Sequence, residues 1–459
     1  MRALVYFLTI PIIAVMLAMG IFWYAHPARE VVIGEDRTAA IGETIKNAPP
    51  PIKPEKPLAE RIKDAYDRSS NIKGLYMTAD VANDAGAPAT RLRESIIHLA
   101  QTTEINGIVI DVKEVCGPDY NEKHLQALLQ ELHEKNIWAI ARIVSFKDAS
   151  QINAHPDWYL TRSNYKSARD ECVRKSYLRA TAPDGQKSSA NFWRDNKGGY
   201  WMDPASTGAR EYIISVGKKM VDMGFDELQF DYVRFPSDGD VAIANYPAWD
   251  KKTPKHVVMK SFFEQVHREL KSYKPEVILS ADLFGYAATS AGDVGIGQRL
   301  EDIGESFDYL SFMVYPSHYY NGLALPADPT HGLPALNLNR SQARQHPDQI
   351  VGRAMIAARE FLDKKITALT QATSTTGNQQ ATIIMSAPTQ SSENQNQTHR
   401  VMLRPWLEDF FHEADKHAGR PYGREKVRPQ IDAAESTDNH GWLLWNASNV
   451  YTEEALREK

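Results

Sequence analysis

Asp231 lies in Asp226-Glu227-Leu228-Gln229-Phe230-Asp231-Tyr232-Val233-Arg234-Phe235-Pro236, an acid followed by an arginine and a proline turn. Other acids and bases end comparable apolar runs: Asp111 and Lys113, Arg142, Asp282, and the pair Glu408-Asp409. Carboxylates in excess, with cations among them, suit general acid–base work on a neutral polyol. Strands lie about 4.8 Å apart, so acids on neighbouring strand ends can stand about 5–5.5 Å from each other, the spacing of a retaining glycosidase pair. Asp231 and Asp282 are that candidate catalytic pair. Arg142 and Arg234 would keep Asp231 ionised as nucleophile or charge stabiliser, while Asp282, beside Leu283, Phe284 and Tyr286, would hold its proton as the acid. Each group also has a structural alternative: an Asp231–Arg142 ion pair, an Asp111–Lys113 pair that neutralises itself, and a solvated helix start at Glu408-Asp409.

The elements that must position these groups are strands alternating with helices. Glu227, Gln229, Asp231 and Val233 share one face of a period-two pattern and Leu228, Phe230 and Tyr232 the other. Further strands are expected at 72–77, 107–113, 137–144, 277–284, 309–316, 401–407 and 441–446, which with 227–235 makes eight. Helices are expected between them at 91–101, 124–135, 211–223, 256–273, 296–303, 345–370 and 427–435. Near-continuous apolar runs such as Gly107-Ile108-Val109-Ile110 indicate parallel strands buried on both faces. Eight such units close a TIM-type (β/α)8 barrel, whose chemistry sits at the C-terminal strand ends. An open doubly wound sheet would carry a Gly-rich phosphate turn after its first strand, and there is none. Two stretches interrupt the alternation. Residues 145–205 are rich in Trp and Tyr and are expected to form a lid or substrate wall. Residues 371–400 are dominated by Gln, Asn, Ser and Thr and read as a low-complexity insertion.

On this barrel, Tyr76, Trp406 and Trp445 at strand ends, with Tyr315 and His318 in Tyr315-Pro316-Ser317-His318-Tyr319-Tyr320, are candidate sugar contacts. Asp111, Lys113, Arg142, Arg234 and Glu408 complete the expected substrate-binding set, unless Tyr315 and its neighbours only pack a turn. The net charge of -5 gives no basic footprint for nucleic acid. Two cysteines, Cys116 and Cys172, exclude a disulfide framework or a cysteine zinc cluster and leave either one bridge or two thiols. No Ser nucleophile elbow, P-loop or His-Glu-x-x-His occurs, and His155, His318 and His331 are scattered, so neither metal nor cofactor is expected. A metal-dependent deacetylase would need a clustered His/Asp set.

Residues 3–25 are almost wholly apolar and end on Trp23-Tyr24, long enough for an uncleaved transmembrane anchor with the bulk of the chain outside; cleavage near Ala18-Met19-Gly20 would instead give a secreted chain. Residues 26–70, with Ala48-Pro49-Pro50-Pro51-Ile52-Lys53-Pro54 at their centre, read as a semi-rigid stalk ending in a short helix at Leu58–Arg68.

The block Phe230-Asp231-Tyr232-Val233-Arg234-Phe235-Pro236, with Gly107-Ile108-Val109-Ile110-Asp111-Val112-Lys113 before it and Ser280-Ala281-Asp282-Leu283-Phe284-Gly285 after it, resembles a glycoside-hydrolase family formerly classed as a domain of unknown function. The resemblance covers roughly residues 71–450. It implies a β/α barrel distantly similar to the α-amylase clan, where a fourth-strand Asp attacks and a fifth-strand Glu donates the proton. Asp231 matches the first position, and Asp282 stands where the longer Glu would be. The expectation is thus a membrane-held barrel acting on an envelope or extracellular polysaccharide, or an inactive barrel that binds glycan as an adaptor.

Overall fold

The computed structural model describes residues 56–459 apart from 164–169, 182–190, 376–399, 411–421 and 439. Eight parallel strands form the closed barrel that the alternation implied: β1 Ile72–Met77, β2 Gly107–Glu114, β3 Trp138–Val144, β4 Glu227–Asp231, β5 Ile278–Phe284, β6 Tyr309–Met313, β7 as Met402–Leu403 and Trp406–Glu408, and β8 Gly441–Trp445. Closure is made by β1 pairing with both β2 and β8. Gly441 sits at this seam with φ 89°, where a Cβ would stand 1.9 Å from the Ile72 carbonyl oxygen, so only glycine fits.

The helices around it are α1 Leu58–Ser69 ahead of the barrel, then α2 Ala87–Thr102, α3 Glu122–Glu134, α4 Thr207–Met223, α5 Lys255–Tyr273, the single turn α6 Leu300–Ile303, α7 Pro347–Thr375 and α8 Arg424–Glu435. Their ends carry ordinary signals. The Asn121 side chain accepts the His124 N–H at the start of α3, and α4 stops at Gly224 in the left-handed region, φ 103°. Outward strand residues such as Ile108, Ile110, Leu228 and Phe230 bury against these helices, whereas Ile72, Val109, Ile140, Ile278 and Leu443 fill the barrel itself.

Glu227, Gln229 and Asp231 point inward in successive layers, as the period-two reading of β4 required. The lowest layer holds an ion pair with no solvent exposure: Arg404 Nη1 donates to both Glu227 oxygens, at 3.0 and 2.8 Å. Ser280 and Trp138 also donate to Glu227, at 2.6 and 3.1 Å. Arg404 reaches the interior because β7 is broken at Arg404-Pro405, where proline cannot donate to a ladder. Arg404 Nη2 donates to the Ser69 carbonyl at 2.9 Å, tying α1 to the barrel's N-terminal end. Tyr66 donates to Asp308 and Arg61 pairs with Glu276 on the same side. The compact unit therefore begins at Pro57, not at residue 71, and α1 is a barrel part where a stalk end was expected.

The apolar stretch 3–25, the proline run and most of the 371–400 insertion lie outside the described residues, and among the described residues no helix is long and apolar enough to cross a membrane. The excursion after β3 differs from the expected substrate wall. Tyr159, Trp193, Tyr200 and Trp201 are buried and form the core of a loop lobe, with Lys147 paired to Asp195 and Glu171 at 2.9 and 2.8 Å. Cys116 and Cys172 are disulfide-bonded across 56 residues, which pins this lobe to the end of β2. Replacing both by Ser should lower the unfolding free energy by about 4 kcal/mol, read from denaturant curves with and without reductant. An unchanged midpoint would show that the lobe is held by its aromatic core alone.

Candidate functional site

The C-terminal strand ends gather Asp111 from β2, Arg142 from β3, Asp231 from β4 and Asp282 from β5. Asp111 pairs with Arg142, whose partner on β4 is Gln229; Asp231, opposite Val144, and Asp282, one residue past the Phe230–Ala281 pair, lie two residues further along, and the long Arg142 side chain spans that step. Arg142 is the hub: Nη1 donates to Asp111 Oδ1 at 2.5 Å, Nη2 donates to Asp231, and Nε lies 3.7 Å from Asp282 Oδ2. Asp231 spends its other oxygen on its neighbour's amide, Tyr232 N–H, at 2.6 Å. Tyr232 has φ 52°, a left-handed conformation that costs a bulky residue about 1–2 kcal/mol and ends β4 at Asp231 rather than at Phe235.

The cluster is walled by the expected aromatics. Tyr76 donates to Asp111 and stacks on Trp445 with centroids 3.9 Å apart, and Trp406 Nε1 donates to Asp282 Oδ1 at 2.7 Å. The Arg142 guanidinium lies 5.1 Å from the Trp445 ring centroid. Asp282 is buried, and burial followed by the Asp231 charge pushes its carboxyl well above the ordinary range. Burial also raises Asp111, against the pull of Arg142. The Arg142 guanidinium stays charged, because Asp111 and Asp231 outweigh the desolvation that opposes it.

Several expected contacts fall elsewhere. Lys113 leaves the cluster: it pairs with Asp148 at 2.7 Å and donates to the Val144 carbonyl, all without solvent exposure. The cause is a β-bulge between Asp111 and Lys113, which breaks the alternation that would have placed both inward. Arg234 makes no bond to Asp231. Its guanidinium lies among Trp201, Tyr232 and Phe284, at 4.9, 4.9 and 4.4 Å from their centroids, and donates to the Phe235 carbonyl and Ser237. Tyr315 and the exposed His318 form an aromatic group with Phe410, at centroid distances of 5.4 to 5.7 Å. Glu408 is no solvated helix start. It is buried and accepts the Ser317 N–H at 2.9 Å, so it anchors the loop that bears Tyr315 and His318.

Glu114, half-buried at the end of β2, was not foreseen. The bulge that turns Lys113 away restores Glu114 to the barrel side, where Tyr76, Asp111 and Arg142 all interact with its charge. A bulge leaves no mark in the hydrophobic period, so alternation could not have found it. Among the described residues, Asp328, His331 and Glu360 have ligating atoms within 4.8 Å of one another, a set that includes none of the cluster's members.

Burial pushes Glu408 up to about 7 and Asp409 up to about 6. In the folded chain these acids keep their protons to higher pH than in the unfolded chain, so their contribution to stability is full below about pH 4 and lost as pH rises through about 7. Glu408→Gln, which mimics the protonated form, should match the native chain at pH 4 and exceed its unfolding free energy by about 3 kcal/mol at pH 8. Parallel denaturation curves at both pH values would show a flat difference if Glu408 is not so shifted.

Comparison with family models matches residues 74–451 to the family described as "Putative glycosyl hydrolase domain". No curated protein matches. Among solved structures, a hypothetical protein from Ruminiclostridium thermocellum ATCC 27405 is 26% identical over 45% of this chain and 96% of that one, with a TM-score of 0.34. The glycoside hydrolase domain of PelA from Pseudomonas aeruginosa is 11% identical over 83% of this chain and 96% of that one, TM-score 0.35. A cycloisomaltooligosaccharide glucanotransferase from Paenibacillus sp. is 11% identical over 64% of this chain and 37% of that one, TM-score 0.40. The family match runs from Gly74 in β1 to Tyr451 after β8 and takes in the whole acid cluster, so the chain belongs to this glycosyl hydrolase domain family.

Proposed function

We propose that this protein hydrolyses glycosidic bonds of a polysaccharide, with Asp231 as the attacking carboxylate at the anomeric carbon. The observation that carries the reading is the asymmetry around Arg142. One guanidinium bonds Asp231, while Asp282 on the adjacent strand is pushed to keep its proton, and three aromatic side chains wall the pair. A carboxylate bonded by a guanidinium beside an acid pushed to keep its proton suits cleavage through an oxocarbenium-like state. With Asp282 as the protonated partner, one strand away, the course would be retaining. An envelope or extracellular polysaccharide is favoured by the apolar stretch 3–25 and by the disulfide, which persists in oxidising compartments.

One feature favours the alternative of a glycan-binding adaptor: Asp231 and Asp282 are only 5% and 1% exposed. The full chain should release reducing ends from at least one polysaccharide of a broad glycan panel. Binding without release from any of them would establish the adaptor instead.

A further inference from the structure

We propose that Glu114, and not Asp282, delivers the proton to the leaving oxygen. This rests on Asp231 as the attacking carboxylate and on the retaining course proposed above, and it transfers the acid's role from Asp282. A general acid must hold a proton and also bring it within hydrogen-bond reach of the scissile oxygen. Asp282 meets the first condition and is poorly placed for the second: it is 1% exposed, Trp406 Nε1 occupies one oxygen at 2.7 Å, and Arg142 stands 3.7 Å from the other.

Glu114 meets both. It is half-buried at a C-terminal strand end, and its side chain makes no hydrogen bond or ion pair to another described residue, so its proton is uncommitted. The groups that act on it are Asp111 from its own strand, Arg142 from β3, Tyr76 from β1, Asp119 after the β2 turn, and Lys175 from the excursion. Lys175 is itself paired with Asp119 at 2.5 Å and Asp80 at 3.4 Å. Burial, then the Asp111 charge, pushes the Glu114 carboxyl up to about 7. The bulge in β2 is the device that aims it: without that extra residue Lys113 would occupy the position.

In the step this implies, an Asp231 oxygen bonds to the anomeric carbon as the bond from that carbon to the leaving oxygen breaks. The electron pair passes to that oxygen, which takes the Glu114 proton. Water then attacks the same carbon, the glycosyl ester to Asp231 breaks, and the Glu114 carboxylate takes the proton from the water.

The test uses the full chain, the panel polysaccharide that the native protein cleaves, and the 2,4-dinitrophenyl glycoside of its sugar, whose leaving group needs no proton. Glu114→Gln, an isostere of the protonated acid, should slow polysaccharide cleavage by about 10²–10⁴-fold. First-turnover dinitrophenolate release should slow about tenfold at most, and the fall of kcat/KM above about pH 7 should disappear. Asp282→Asn should slow both substrates alike and keep that pH limb. Equal losses on both substrates in Glu114→Gln, no loss, a surviving limb, or the leaving-group split appearing in Asp282→Asn would overturn the assignment while leaving Asp231 in place. A native chain that cleaves no glycan would overturn the hydrolase reading and this step with it.

Discussion

Asp231→Asn should release reducing ends roughly 10⁴-fold or more slowly than the native chain while still binding glycan. The carboxylate has two tasks that an amide cannot share. One oxygen accepts from Arg142 Nη2 and the other from the Tyr232 N–H. Asn has one acceptor oxygen, so its NH2 must oppose either donor, at a cost of about 1–3 kcal/mol that a denaturation curve would register. The fold tolerates this, because Asp111 and Asp282 still surround Arg142. Removing the Asp231 charge also relieves one cause of the upward push on Asp282, which should then ionise at lower pH. A variant that cleaves glycan at the native rate would exclude Asp231 as the attacking group.

Arg142→Met should be the most destabilising change near the site. It removes the cation that bonds Asp111 and Asp231 and faces Asp282, leaving three buried carboxyls. Breaking a buried pair by deleting one partner costs about 3–5 kcal/mol. The loss should depend on pH with a definite sign. Without the guanidinium Asp111 and Asp282 hold their protons to still higher pH in the folded state, so the variant's deficit should be small near pH 4 and grow as pH rises towards 8. Unfolding curves at the two ends would reveal this; a deficit that does not vary with pH would mean that Arg142 contributes packing alone.

How much of this was legible in the sequence depends on which rule governed each residue. The strands of the barrel were visible because their burial is written as a period, and Asp231, Arg142, Asp111 and Asp282 were legible together because parallel strands bring their C-terminal ends to one rim, where Arg142 reaches all three acids. Lys113 was misplaced and Glu114 missed under the same rule, since one inserted residue reverses the phase and side-chain type does not announce it. The aromatics of the excursion were misread because Trp193 and Trp201 look alike in sequence whether they line a wall or fill a lobe. Arg234 sits three residues from Asp231, yet the left-handed turn at Tyr232 carries it into an aromatic cage. Composition could not decide the cysteine pairing, which needed the 5.4 Å Cα separation that the fold supplies.

The Glu227–Arg404 pair on the barrel floor bears on how such sequences can drift. Neither member tolerates an apolar neighbour in place of the other, since a lone charge would then be sealed away from water. Yet exchanging both for well-packed apolar residues can be neutral or better. Relatives should therefore carry the two together or lack both, and any lineage crossing between these states must do so through a strongly disfavoured single mutant, a case of epistasis across 177 positions of chain.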